Sequence, residues 1–219
     1  MNRPNFQKEM EQILAGLQVE KTGRKKLLLH SCCGPCSSYV LTALTHFFDI
    51  ELFYYNPNIH PAEEYAHRLQ TQKQLCQQLP REGTIEVLED VPYDPEAFFS
   101  ASAGLEGEKE GGRRCEVCFR LRLEKTALEA KKRGADFFTT TLSVSPHKNA
   151  ALLDAIRRET AQTFGVAYLP ADFKKKGGYQ QSVALAKTFD LYRQDYCGCI
   201  YSLQERMAQK QQKEQEATL

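Results

Sequence analysis

Thiols are the groups in this chain best suited to chemistry. Its eight cysteines fall into three tight groups and one stray. The groups are Cys32-Cys33-x-x-Cys36, Cys115-x-x-Cys118 and Cys197-x-Cys199, and Cys76 stands alone. A structural disulfide framework belongs to small secreted chains that lack a core. This chain has 219 residues and no apolar secretory segment at its start, so its clustered thiols point to metal binding, electron transfer or both. Adjacent side chains in a regular strand point to opposite faces. Cys32 and Cys33 can therefore share one centre only if the chain leaves strand geometry, and Gly34-Pro35 favours that. Cys36 is expected to open the next helix and face back toward the turn. Cys115 and Cys118 sit three apart at a predicted helix start, where they share a face. The helix dipole and Arg113-Arg114 are expected to favour their thiolate forms. Two pairs supply four thiolates, a set that suits zinc or an iron–sulfur cluster. Structural zinc normally takes two C-x-x-C knuckles, for which adjacent cysteines are poorly arranged. Cys197-Gly-Cys199 reads differently. A disulfide in so small a ring departs from preferred geometry and should exchange readily. That favours a redox-active dithiol over a second pair of metal ligands. Cys76, among Gln and Leu on a predicted helix, reads as packing.

The positioning elements follow from patterning. Apolar stripe residues Phe6, Met10, Ile13, Leu14 and Leu17 predict a helix within residues 1–24. Strands are predicted at 25–30, 49–56, 84–89, 136–142 and 166–170. Helices are predicted at 35–47, 62–79, 114–132, 149–164, 179–188 and 200–213, the last fading into a Lys/Gln/Glu tail. Residues 94–112 carry four glycines and read as an exposed loop. Alternating strands and helices imply an α/β fold with a mainly parallel sheet flanked by helices. The expected division is an N-terminal helical extension over 1–24, one α/β domain over 25–205 and a polar tail over 206–219. Ligands of such sheets lie beyond the carboxyl ends of strands. Cys32-Cys33 follows the first strand, and Ser143-Val-Ser-Pro146 follows the fourth. A phosphate-binding domain would place a glycine-rich turn after its first strand, but Ser31-Cys-Cys-Gly-Pro-Cys36 offers one glycine and three thiols.

The net charge of +1 excludes a whole-protein basic field for nucleic acid. Local basic runs remain. Lys131-Lys132-Arg133 precedes Gly134 and reads as a helix C-terminus. Lys174–Lys176, before Gly177-Gly178, reads equally as a solvated loop or a phosphate contact. No run of about 18 apolar residues occurs, so the expectation is a cytoplasmic protein with no membrane partner.

Three stretches resemble the QueH-type epoxyqueuosine reductases. They are Leu29-His-Ser-Cys-Cys-Gly-Pro-Cys-Ser-Ser38; Tyr55-Asn-Pro-Asn-Ile59 with Glu64-Tyr65 and Arg68; and Lys176-Gly-Gly-Tyr-Gln-Gln-Ser182 followed by Tyr196-Cys-Gly-Cys199. The resemblance runs from about residue 25 to 205. It implies a Rossmann-like, nucleotide-hydrolase-type (HUP-like) domain carrying a [4Fe-4S] cluster. It also implies reduction of epoxyqueuosine to queuosine in the anticodon loop of tRNA, the last step in making that base, with electrons from a donor the sequence does not identify. Carried over by position, Cys32, Cys33, Cys115 and Cys118 match the cluster ligands, and Cys197 and Cys199 the redox pair. Cys36 lies where it could hold one additional iron ion.

Removing the epoxide oxygen consumes two electrons and two protons; a dithiol becoming a disulfide supplies two electrons, and a proton must still be delivered to the departing oxygen. Asp195, His30, His147 and Tyr179 are the candidate proton donors. Tyr54, Tyr55, Tyr65 and Tyr179 are candidates for stacking on a splayed base. Lys174–Lys176, Arg113 and Arg114 are candidates for phosphate contact. Two other readings compete. A zinc-stabilised nucleic-acid-binding module leaves Cys197-Gly-Cys199 without a task, and an ATP-dependent sulfur-inserting enzyme of related fold lacks its glycine-rich loop here.

Overall fold

The computed structural model describes residues 5–20 and 23–217. The outermost residues of the expected N-terminal extension and C-terminal tail lie outside that range. Strand β1 (Lys25–His30) is the centre of the fold. Its three leucines are fully buried, because the strand is covered on both faces as parallel sheets require. Side-chain alternation sends them to different cores. Leu27 and Leu29 enter one core with Ile50, Leu52, Val40 and Leu41. Leu28 enters the opposite one with Phe53, Phe138, Ala127 and Ala130.

Four strands join β1: β2 (Phe48–Phe53), β3 (Ile85–Val87), β4 (Phe137–Thr140) and β5 (Ala167–Tyr168). All pairs are parallel, in the order β3-β2-β1-β4-β5. The order reverses between β1 and β4, where Leu27 faces Phe137 and His30 faces Thr140. Such a switch point opens a crevice beyond the carboxyl strand ends, and the first cysteine group follows β1 directly.

Helices α1 (Phe6–Glu20), α2 (Gly34–Leu44), α3 (Ala62–Gln78), α4 (Pro95–Ser102), α5 (Arg113–Arg133), α6 (Ala150–Phe164), α7 (Gly178–Thr188) and α8 (Ile200–Ala217) surround the sheet. Helix α2 packs against α3 and α7 on one side, and α5 packs against α6 and β1 on the other. Met10 and Leu14 of α1 belong to the main core. Helix α5 ends as its sequence predicts, with Lys131, Lys132 and Arg133 in the last turn and Gly134 in the left-handed conformation.

Several elements differ from expectation: β3, β4 and β5 are shorter than expected, with Thr141–Val144 in a 3-10 turn where the fourth strand was expected to continue, and α2 ends at Leu44. The segment read as an irregular loop over 94–112 contains α4. Asp94 caps it by accepting from the Ala97 amide at 3.3 Å, Pro95 stands in the first turn, and Phe98 is buried. Strand β2 stops at Phe53, because its partner β1 ends at His30, the residue that faces Phe53. The C-terminal helix runs on to Ala217 instead of fading at 213.

Candidate metal and dithiol site

Just past β1 the chain leaves the sheet. The Ser31 amide still reaches the Phe53 carbonyl at 3.0 Å. The Ser31 hydroxyl donates to Gln72 at 2.6 Å, and Asn56 donates to the Ser31 carbonyl at 2.8 Å. Cys33 is extended (φ −173°) and caps α2, whose first turn holds Pro35 and Cys36. A side chain at Gly34 would meet Thr71 on α3 at 2.9 Å, so the close approach of α3 selects glycine. This turn gathers the sulfurs of Cys32, Cys33 and Cys36 within 4.8 Å of one another. The Cys32 and Cys33 sulfurs are 3.9 Å apart. One tetrahedral ion with metal–sulfur bonds of about 2.3 Å would hold sulfurs about 3.8 Å apart. Thr141, in the short 3-10 turn that follows β4, accepts from the Cys32 amide at 3.2 Å and donates to its sulfur at 3.4 Å. Donation from Cys33, then Cys36, holds the Cys32 thiol well below its ordinary range. Donating to Cys32 pushes Cys33 up to about 12 and raises Cys36 as well.

Cys115 and Cys118 occupy the first turns of α5, as predicted, but stand outside that trio. Cys115 and Cys32 pack against the same apolar cluster of Phe119, Leu123, Leu142, Leu153 and Ile156. Cys118 and Cys199 pack together against Phe98. Burial raises the Cys115 thiol and pushes Cys118 up to about 12. The expected lowering by the helix start and Arg113-Arg114 is thus reversed. Arg114 does not act on these thiols because it faces elsewhere. It donates to the carbonyls of Leu105, Glu106 and Glu108 and lies 4.3 Å from the Tyr201 ring centroid, 2% exposed. Its work is to fix the glycine-rich segment. Arg113 is exposed on the outer side of the same turn.

The Cys197-Gly198-Cys199 turn is pinned from three sides. Arg68 donates to the Cys197 carbonyl at 3.1 Å and the Tyr196 carbonyl at 3.4 Å, while Glu64 holds Arg68 at 2.6 Å. The His60 amide donates to the Gly198 carbonyl at 2.8 Å. The Gly198 amide donates to Ser202 at 3.3 Å, and the Ser202 amide donates to the Cys199 sulfur at 3.4 Å. Gly198 has φ +128°, and a Cβ there would lie 3.0 Å from an Arg68 nitrogen. All eight cysteines are free thiols.

A cavity of about 610 Å³ joins the first cysteine group to the Cys197 turn. Cys32, Cys36 and Cys197 line it together with Arg68, Arg122 and Lys148. The Lys148 ammonium is 3.7 Å from the Cys197 sulfur. Tyr179 and Tyr196 line it too. Tyr54, Tyr55 and Tyr65 do not: they are buried in the two cores. His30 is fully buried between Thr140 at 2.8 Å and the Tyr55 carbonyl at 3.0 Å, and is a framework residue. His147 and Asp195 reach the cavity, but Asp195 is paired with Arg206 at 3.1 Å and Lys210 at 2.8 Å. Lys174 donates to the Lys148 carbonyl at 2.8 Å, Lys175 to Asn5 at 3.3 Å, and Lys176 is ion-paired with Glu11 on α1. The lysine run therefore ties α1 and the loop after β4 together. Arg122, Lys148 and Tyr196 escaped the sequence reading. Arg68 stood in the resembling stretch with Glu64, and the i, i+4 spacing of the two signalled their ion pair. No helix among the described residues is long and apolar enough to cross a membrane.

Comparison with known proteins agrees with this geometry. The family described as "Epoxyqueuosine reductase QueH" matches residues 27–205. Proteins carrying that name are similar over most of the chain. One from Streptococcus pyogenes serotype M1 is 40% identical over 200 residues, covering 90% of this chain and 78% of the relative. One from Staphylococcus epidermidis is 39% identical over 203 residues, 90% of this chain and 84% of the relative. One from Thermotoga maritima is 37% identical over 180 residues, 82% and 91% of the two chains. With its parallel α/β sheet and a thiol trio at the switch point, the chain belongs to the epoxyqueuosine reductase QueH family.

Proposed function

We propose that this protein is a cytoplasmic oxidoreductase that reduces epoxyqueuosine to queuosine at the wobble position of tRNA. The observation that carries the proposal is one cavity in which Cys32 and Cys36 face Cys197 beside the cationic side chains of Arg68, Arg122 and Lys148, with Arg193 and Arg206 also in its wall. A thiolate metal centre fits this environment. Arg122 is 2% exposed and one of its nitrogens is buried without an acceptor, which suits an anionic partner. Cys32, Cys33, Cys115 and Cys118 would hold a [4Fe-4S] cluster, and Cys36 would contribute to one additional iron ion. When bound, iron supplies single electrons and a Lewis-acidic position for an oxygen.

The remaining work belongs to the chain itself. Oxidation of the Cys197 and Cys199 thiols to a disulfide releases two electrons and two protons. Conversion of the epoxide to an alkene takes up two of each and releases water, so the exchange balances. An external donor then returns the disulfide to the dithiol. Arg68, Glu64 and His60 keep the Cys-Gly-Cys turn at the cavity wall. Tyr179 and Tyr196 offer ring faces to a base splayed from the anticodon loop. His147, Lys148 and Arg193 line the same opening and suit the flanking phosphates.

The test is anaerobic purification with iron and sulfide counts, followed by incubation with tRNA carrying epoxyqueuosine. A brown protein with about four iron and four sulfide per chain that yields queuosine supports the proposal. The 3.9 Å spacing of Cys32 and Cys33 favours one second reading, a single zinc ion in a nucleic-acid-binding module. A colourless protein holding one zinc, inactive after iron–sulfur reconstitution, would establish that reading instead.

A further inference from the structure

Arg122 projects from the middle of α5 into the cavity wall. Arginine so deeply buried normally has a carboxylate partner. The Arg122 Nε instead donates to the Cys118 carbonyl at 3.1 Å. The guanidinium carbon lies 5.6 Å from the Phe119 ring centroid, and Nη2 is buried with no acceptor. Arg122 lines the cavity with Cys32 and Cys36 of the first cysteine group and Cys197 of the third, while it bonds the backbone of Cys118 in the second. Arg122 is therefore a fixed cation at the point where the groups converge, and it keeps one N–H in reserve. The half-buried Lys148 repeats the pattern on the other side, with its ammonium 3.7 Å from Cys197.

Resting on the proposed metal centre, we infer that Arg122 is the positioning residue that carries its counter-charge. Anchored by the Cys118 carbonyl, it answers the negative charge of the thiolates and favours the reduced over the oxidised centre. A reduced centre carries one more negative charge than the oxidised one. A cation held nearby in a poorly polarisable site therefore raises the reduction potential, as net charge and hydrogen bonds to sulfur generally do in such centres. The role needs charge at this position more than it needs the shape of a guanidinium. That separates it from a packing role, which a methionine of similar length would satisfy.

The experiment is a redox titration of the anaerobically reconstituted full chain and its Arg122→Met and Arg122→Lys variants, read by visible absorbance, with iron content and melting temperature measured in parallel. The expected result is a midpoint shifted to more negative potential in Arg122→Met and largely restored in Arg122→Lys, at equal iron content. Loss of iron in Arg122→Met but not in Arg122→Lys, with unchanged melting temperature, supports the same assignment. Equal midpoints in all three loaded proteins would overturn it, as would loss of iron in both variants. An unchanged midpoint with a raised KM for tRNA would also overturn it, by making Arg122 a substrate contact. Wild-type protein that takes up no iron at all would overturn the metal-centre reading itself, and this assignment with it.

Discussion

Arg68 donates to the Cys197 carbonyl at 3.1 Å and is held in turn by Glu64 at 2.6 Å. A buried ion pair on α3 thus fixes a turn 129 residues later in the chain. Arg68 also lies 5.0 Å from the Tyr196 ring centroid, so it braces both the dithiol and a cavity-lining aromatic. Replacing it with methionine leaves the nearly buried Glu64 without its counter-charge, with the Tyr192 hydroxyl still donating to it at 3.0 Å. The expected cost is about 3–5 kcal/mol of stability, measured by urea unfolding. Gly198→Ala should impair the same turn with less global cost, because its strain is local to a φ of +128°. Alkylation of Cys197 in the folded protein should accelerate in both variants. Unchanged alkylation rates would show that the clamp does not control the turn.

The cysteine groups should separate by function. Cys115→Ser is expected to abolish iron–sulfur assembly, because it removes one of the four proposed ligands. Cys197→Ser should keep its iron and lose multiple turnover, because one sulfur cannot store two electrons as a disulfide. Iron and sulfide counts beside a turnover assay decide both. Normal iron in Cys115→Ser would remove that ligand from the set, and normal turnover in Cys197→Ser would remove the dithiol step.

Phosphate contact should come from the cavity rim instead of the lysine run. Arg193 lines the cavity, whereas Lys176 is occupied by Glu11 on α1. Arg193→Gln is expected to weaken tRNA binding and lower the salt slope by about 1. Lys176→Gln should leave that slope unchanged. Binding titrations at several salt concentrations distinguish the two, and a slope lowered only by Lys176→Gln would reverse the assignment.

His30 is predicted to serve stability, not proton transfer. Its two ring nitrogens are taken up by the Thr140 hydroxyl and the Tyr55 carbonyl at full burial. His30→Leu takes the Tyr55 carbonyl's side-chain donor away and leaves the Thr140 hydroxyl with only the Leu142 amide, and should cost about 1–3 kcal/mol for the buried polar group abandoned. A variant of wild-type stability with no turnover would point instead to a catalytic histidine.

Much of the frame was legible in the chain. The alternation Lys25-Lys-Leu-Leu-Leu-His30, then cysteines, then a Pro-led helix specified a buried central strand and the turn that follows it. Local rules sufficed there, because a fully buried strand and a helix start each depend on neighbours within a few residues. Gly134 after three basic residues ended α5 where predicted, for the same reason. Helix α4 was also signalled locally, by Asp94-Pro95 ahead of Phe98, but the glycines after it dominated the reading.

Residue types and local periodicity set the fold class, the alternation of strands and helices, and the thiols available for chemistry. Each of these follows from residue type and from periods of two or 3.6 along the chain. Which side chains share the site was settled by contacts between segments far apart in the chain. Thr141 meets Cys32 across 109 residues, Lys148 meets Cys197 across 49, and Arg68 meets Cys197 across 129. Tertiary packing also gave Arg114 to a loop and Arg122 to the thiols, although both stand on one helix with the same charge. Their burial depends on what packs against each face of α5, and that is settled by elements far away in the chain.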